Sequence, residues 1–230
     1  VTPTTNAAPG AGGVAYINSW NWSGDTPCWA FYTSGKGSAE VIAHEVGHTL
    51  GLAHDGQTPD GGYYGGHGGG ATGWAPIMGV GYYQNLTQWS KGEYINADQT
   101  QDDLAVIDGF NSVDLRGDDS GDTAASASPL ELFGTTADDD GVVGTRGDVD
   151  VYSFTTTGGT LTLQIAPAGA GPNLDISAVI RNASNGVVAS SNPDLGIEAT
   201  FTNLALTAGT YTLHIDGTGR GTALGNGYTD

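Results

Sequence analysis

The chain has 230 residues and carries 25 acidic against six basic side chains, a net charge of −19. That balance excludes electrostatic binding to a nucleic-acid backbone or an anionic membrane surface. Apolar residues make up 38%, and no run approaches the ~18 that a membrane-spanning helix needs; the 39 glycines point instead to turns and short strands.

Twenty of the acids are Asp, a residue of turns and a calcium ligand, although the same composition suits a protein simply solvated in salty surroundings. Cys28 is the only cysteine, so neither an internal disulfide framework nor a cysteine-based zinc site can form. The first residues have no basic segment followed by an apolar one, so any secretion signal is expected outside this sequence.

In chain order, residues 1–12 are small, polar and Pro/Gly-rich and read as an arm. Val14–Ser19 and Trp29–Thr33 are short β-like runs around a turn-rich stretch at 20–27. Ser38 is placed to cap a helix over Ala39–Leu50, and Gly51 stands where a helix-ending glycine belongs. Residues 55–75, with nine glycines, read as a loop. Asn96 is expected to cap a second helix near 98–107 with acids in its first turn.

Composition changes after residue 112. Residues 113–129 form an acidic, small-residue linker, and beyond it apolar and polar residues alternate at 160–166, 174–181, 196–202 and 210–216. Leu161, Leu163 and Ile165 point one way; Thr160, Thr162 and Gln164 point the other. Such strands spaced by turns indicate an all-β sandwich. The organisation is therefore a first domain over 1–112, the linker, and a β domain over 130–230, an α+β chain in sum.

The chemistry lies in residues 44–55, HEVGHTLGLAHD. His44 and His48 stand four apart, so on a helix both imidazoles leave one face. Glu45 lies beside that face, and Gly51 lets the backbone turn so that His54 returns as a third nitrogen. Three imidazoles leave a fourth zinc position open, the requirement for a catalytic site. Zinc acidifies water, and Glu45 is the carboxylate placed to take the proton.

The pattern His44-Glu45-x-x-His48-x-x-Gly51-x-x-His54 resembles the signature of the metzincin zinc endopeptidases, and Asp55 after the third histidine is similar to their adamalysin/reprolysin branch. The resemblance implies a zinc site of His44, His48 and His54, Glu45 as general base and acid, Gly51 as the turn, and Met78 in Pro76-Ile77-Met78-Gly79 as a support beneath the ligands. It also implies that Gly12–Tyr16 is an edge strand for extended substrate, and that residues 102–107 resemble the C-terminal helix of such domains. The position two residues after Met78 is Val80, so no tyrosine ligand is assigned there. Only 43 residues precede His44, so most of that family's N-terminal subdomain is expected to be missing from this chain. His67, in the glycine-rich loop, reads as either a solvated or a pocket-shaping histidine.

Gly147-Asp148-Val149-Asp150-Val151-Tyr152-Ser153-Phe154 and the strand after it resemble the bacterial pre-peptidase C-terminal domain, a jelly-roll-like sandwich similar to the collagen-binding modules of clostridial collagenases. One further strand is expected past residue 230. Asp118, Asp119, Asp122, Asp138, Asp139, Asp140, Asp148 and Asp150 precede the strands, and either hold calcium, with Asp148 and Asp150 as candidates, or form a solvated acidic turn. The expectation is a secreted bacterial zinc endopeptidase acting on protein or peptide. The alternative is an extracellular protein whose β domain attaches to matrix or polysaccharide beside a vestigial metal site.

Overall fold

The computed structural model describes residues 8–110, 113–221 and 228. Residues 1–7 of the expected arm, and the strand expected past residue 230, lie outside the described residues. Few helices and many strands make the chain α+β. The elements are β1 Gly13–Val14, β2 Trp29–Ala30, α1 Gly35–Thr49, β3 Trp74–Pro76, β4 Leu86–Gln88, α2 Asp103–Phe110, β5 Ser128–Pro129, β6 Leu132–Phe133 and β7 Thr136–Ala137. There follow β8 Val149–Thr156, β9 Gly159–Ile165, β10 Ile176–Asn182, β11 Val187–Ser191, β12 Ala199–Leu206 and β13 Gly209–Gly217. They fall into two units, divided between Leu115 and Arg116, with residues 170–173 and 220–229 counted in the first.

In the first unit, β1 and β2 pair antiparallel over two residues each, shorter than the runs expected from sequence. The reason lies in α1. The backbone N–H groups of Asn18 and Trp20 donate to the carbonyls of His48 and Thr49, so the segment after β1 satisfies the open end of the helix instead of extending the strand. The helix also starts earlier than Ser38. Ser34 is its N-cap residue, while Ser38 lies inside the first turn with its hydroxyl donating to the Tyr32 carbonyl.

At the other end, Gly51 takes φ +101°. Its N–H donates to the His48 carbonyl at 3.0 Å and the Leu52 N–H donates to the Gly47 carbonyl at 3.0 Å, the paired bonds of a Schellman stop. Leu50, Leu52, Met78 and Ile107 then form one apolar cluster beneath the helix. Gly47 faces that cluster so closely that a Cβ there would lie 2.6 Å from the Met78 sulfur.

The second helix departs from expectation. Asn96 sits at φ +55° and caps nothing; its carbonyl accepts from Thr58. The side chains of Asp98 and Gln101 are committed to the main chain at 51–56, and α2 begins only at Asp103, where Asp102 Oδ1 accepts from the Ala105 N–H.

In the second unit, β11-β10-β13-β8-β5 form a five-stranded sheet, and β12 pairs with β9. All pairings are antiparallel except β5 with β8. The alternating stretches predicted from sequence fall on β9, β10, β12 and β13. Ile176, Ala178, Ile180, Tyr211 and Leu213 from the large sheet share one core with Ala199, Phe201 and Leu206 of β12, against which Leu161, Leu163 and Ile165 are half-buried. A register shift between Phe201 and Leu204, with Asn203 at φ +52°, returns both apolar residues to that core.

Replacing Gly51 with Ala should destabilise the chain by ~1–2 kcal/mol, because an L side chain must then occupy the left-handed backbone region. Thermal unfolding of the first unit checks this; an unchanged midpoint would show that the stop relaxes without cost.

Candidate metal centre

The side chains of His44, His48 and His54 offer three nitrogens that lie within 4.8 Å of one another. Helix periodicity brings the first two together, with ring centroids 4.8 Å apart, and the reversal at Gly51 brings the third, whose ring centroid is 4.6 Å from that of His48. His48 is buried, His44 half-buried and His54 exposed.

Backbone carbonyls fix the ring tautomers. Nδ1–H of His44 donates to Ile77 O at 2.9 Å, and Nδ1–H of His48 donates to Leu52 O at 2.8 Å. A carbonyl only accepts, so the proton of each neutral ring is on Nδ1 and Nε2 carries a lone pair. His48 Nε2 and His54 Nε2 are 2.9 Å apart. Ligands on a tetrahedral zinc with Zn–N near 2.0–2.1 Å are about 3.3 Å apart, so this edge fits a small tetrahedral cation with slight spreading. Burial pushes His44 down to about 4 and lowers His48 and His54 as well, with neighbouring imidazoles adding to the effect at His44 and His54. The rings are neutral at pH 7, the state in which imidazole ligates a metal.

The segment carrying His54 has almost no secondary structure of its own and is held from outside. The Ala53 N–H donates to Gln101 Oε1 at 3.0 Å, Asp55 N–H to Met78 O at 2.9 Å, and Gly56 N–H to Asp98 Oδ1 at 2.8 Å. The Tyr94 hydroxyl donates to the Gly56 carbonyl. Met78, fully buried, sits in a tight turn closed by Gly79 N–H to Pro76 O, and the same turn presents the Ile77 carbonyl to His44. Asp55 is buried, and burial pushes its carboxyl up to about 7.

Glu45 is 6% exposed, and burial pushes its carboxyl up to about 7. β1 passes directly over it: a Cβ at Gly13 would lie 2.6 Å from Glu45 Cγ and Oε1, so only glycine lets the strand approach this close.

Tyrosine was the residue type missed from sequence. The Tyr63 ring lies 4.3 Å from the His54 ring and 5.9 Å from that of His44, centroid to centroid. Its position in a glycine-rich loop gave no periodic signal. His67, left open by the sequence, is tied elsewhere: its Nδ1 is 2.8 Å from the Tyr64 hydroxyl, its ring lies beside Trp74, and it does not join the three histidines.

Residues 3–55 match the family model of M12B reprolysin-like metallopeptidases. The match includes α1, Glu45 and all three histidines and ends at Asp55. No curated protein and no solved structure matches the chain. The reprolysin-like stretch and the histidine cluster that it contains suggest a zinc-dependent peptidase.

In the second unit, Asp118, Asp122 and Asp148 also offer oxygens within 4.8 Å of one another. Backbone N–H groups of Ser120, Val149 and Gly144 bond to one carboxylate oxygen each, on Asp118, Asp122 and Asp148 respectively. Asp148 is 8% exposed and its Oδ1 has no hydrogen-bond partner. Asp150, named with Asp148 from sequence, is buried and outside that trio. Burial, then the charges of Asp119, Asp148, Asp118 and Asp122, push its carboxyl up to about 6.

Because Gln101 holds the His54 segment without touching a histidine ring, Gln101→Ala should weaken zinc binding by about 10-fold. Competition with a chelator of known affinity measures it; equal affinities would mean that the remaining main-chain bonds suffice.

Proposed function

We propose that the first unit is the catalytic part of a secreted zinc endopeptidase, with His44, His48 and His54 as metal ligands and Glu45 as general base and acid. The observation that carries this is the convergence of three neutral imidazole nitrogens beside a buried carboxylate. Zinc held there would supply Lewis acidity towards a peptide carbonyl and acidify a water molecule. Glu45 would take a proton from that water and return it to the departing amine. Gly51 sets the turn that returns His54, and Met78 forms the floor beneath α1. An extended substrate pairs with β1, whose bare Gly13 keeps its backbone close to Glu45.

The β domain expected over 130–230 is, in this reading, a pre-peptidase C-terminal-like sandwich of jelly-roll type; its strands lie in the second unit, whose five-stranded sheet also takes in β5 from the expected linker at 113–129. The two groups of strands around one core support it. Its acidic loops would hold a calcium ion through Asp118, Asp122 and Asp148. What supports calcium is the buried, unpartnered Oδ1 of Asp148, which costs free energy unless a cation or donor meets it. Arg116 lines the same hollow, and its guanidinium lies 3.9 Å from Asp119.

Glu45→Gln should retain one zinc per chain and lose peptidase turnover by about 10²–10⁴-fold. Metal analysis together with cleavage of a denatured protein substrate tests this, and turnover like the wild type would remove Glu45 from the chemistry. Calcium at 100 times its Kd should raise the stability of the second unit by ~2.7 kcal/mol. EGTA should reverse the gain, and Asp148→Asn should abolish it. Melting curves unmoved by calcium would refute the calcium site.

A further inference from the structure

Among the described residues around the three histidines, few side chains can donate a hydrogen bond to a substrate. Two of the rings have their Nδ1–H committed to carbonyls, and the position two after Met78 is a valine. His67 Nδ1 is bonded to Tyr64. Lys36 is engaged by Glu40, and Lys91 by Glu93. Two phenols remain near Glu45, those of Tyr63 and Tyr82. The Tyr82 ring is stacked on Tyr32, centroids 4.8 Å apart, and its hydroxyl lies against Gly12 on the strand side, where a Cβ would come within 2.8 Å. Only Tyr63 lies against the histidines themselves, facing both His54 and His44.

The backbone next to Tyr63 is held in place, although it belongs to a glycine-rich loop. The next residue, Tyr64, is buried and fixed at three points. Its N–H donates to Asp55 O at 2.7 Å, its carbonyl accepts from Val80 N–H at 2.9 Å, and its ring stacks on Tyr94 at 4.3 Å and 6°. Those anchors tie the loop to the residue after His54 and to the residue two after Met78. Tyr63 itself is 54% exposed, so its side chain is open to a substrate arriving from solvent. A neutral phenol carries an O–H that can donate a hydrogen bond.

We propose that the Tyr63 hydroxyl donates a hydrogen bond to the scissile carbonyl oxygen as that oxygen gains negative charge, which makes Tyr63 a catalytic residue of the peptidase. This rests on the zinc-endopeptidase reading above. A pre-positioned donor aimed at developing charge stabilises the transition state more than the ground state, so its loss lowers kcat and leaves KM nearly unchanged.

The test uses the full, zinc-loaded chain and a phosphinic pseudopeptide built on a peptide that the wild type cleaves; its anionic tetrahedral phosphinate copies the charged carbonyl adduct. Tyr63→Phe keeps the ring against His54 and removes only the hydroxyl. Calorimetry should show the pseudopeptide binding about 100-fold more weakly to the variant. Zinc affinity, measured by chelator competition, should stay within about 2-fold of the wild type. Equal pseudopeptide affinities would overturn the proposal. So would a parallel loss of zinc affinity, since Tyr63 would then act by holding His54. A wild-type chain that binds no zinc or cleaves no peptide overturns the endopeptidase reading itself, and this assignment with it.

Discussion

The reversal of the chain at Gly51 is the constraint on which the metal centre depends. A helix can bring His44 and His48 to one face unaided, but a third nitrogen at the same point requires the backbone to stop within one turn and come back. The left-handed conformation of Gly51 and the two hydrogen bonds to the His48 and Gly47 carbonyls impose that stop. The carbonyl of Leu52, just past it, then receives the His48 Nδ1–H and fixes the tautomer that leaves a lone pair on Nε2. One local backbone feature thus orients one ligand and delivers another. The absent side chain of Gly47 contributes differently, letting the helix settle on Met78.

Both acidic and histidine clusters share an electrostatic logic. Burial disfavours charge, so the imidazoles are held neutral and Glu45, Asp55 and Asp150 are pushed towards protonation. A cation reverses the balance at such a place, because it compensates lone pairs and carboxylates that no protein donor reaches. Asp148 Oδ1 in the second unit carries that cost most plainly, being buried with no partner. In the first unit the strand lying over Glu45 adds to the burial of that carboxylate.

The long-range bonds around His54 and Tyr63 show how a glycine-rich loop can be well placed. The segment from 53 to 64 is bonded to Gln101, Asp98, Met78, Val80 and Tyr94, all from distant parts of the first unit. Those bonds are the reason α2 starts at Asp103: Gln101 and Asp98 are engaged with residues 51–56. In the second unit the alternation of β9 and β10 follows the pleat of one sheet or the other, while β12 needs a bulge at Asn203 to keep its apolar residues inward.

By itself the sequence determined what short-range geometry controls. The four-residue spacing of His44 and His48, the stopping glycine and the return of His54 are consequences of 3.6 residues per turn and of a φ that only glycine takes freely. The alternation at 160–166 and 210–216 likewise followed from the two-residue pleat. Tertiary structure alone decided the rest. Strand β1 is short because its continuation satisfies the last carbonyls of α1, and Ser38 and Asn96 cap nothing because α1 starts before the one and α2 well after the other. Tyr63 meets His54, Gly13 lies over Glu45, and Asp118 and Asp122 meet Asp148 across gaps of 9, 32, 30 and 26 residues in the chain. No local periodicity encodes such encounters; they exist only once the loops have been drawn together by buried rings and shared hydrogen bonds.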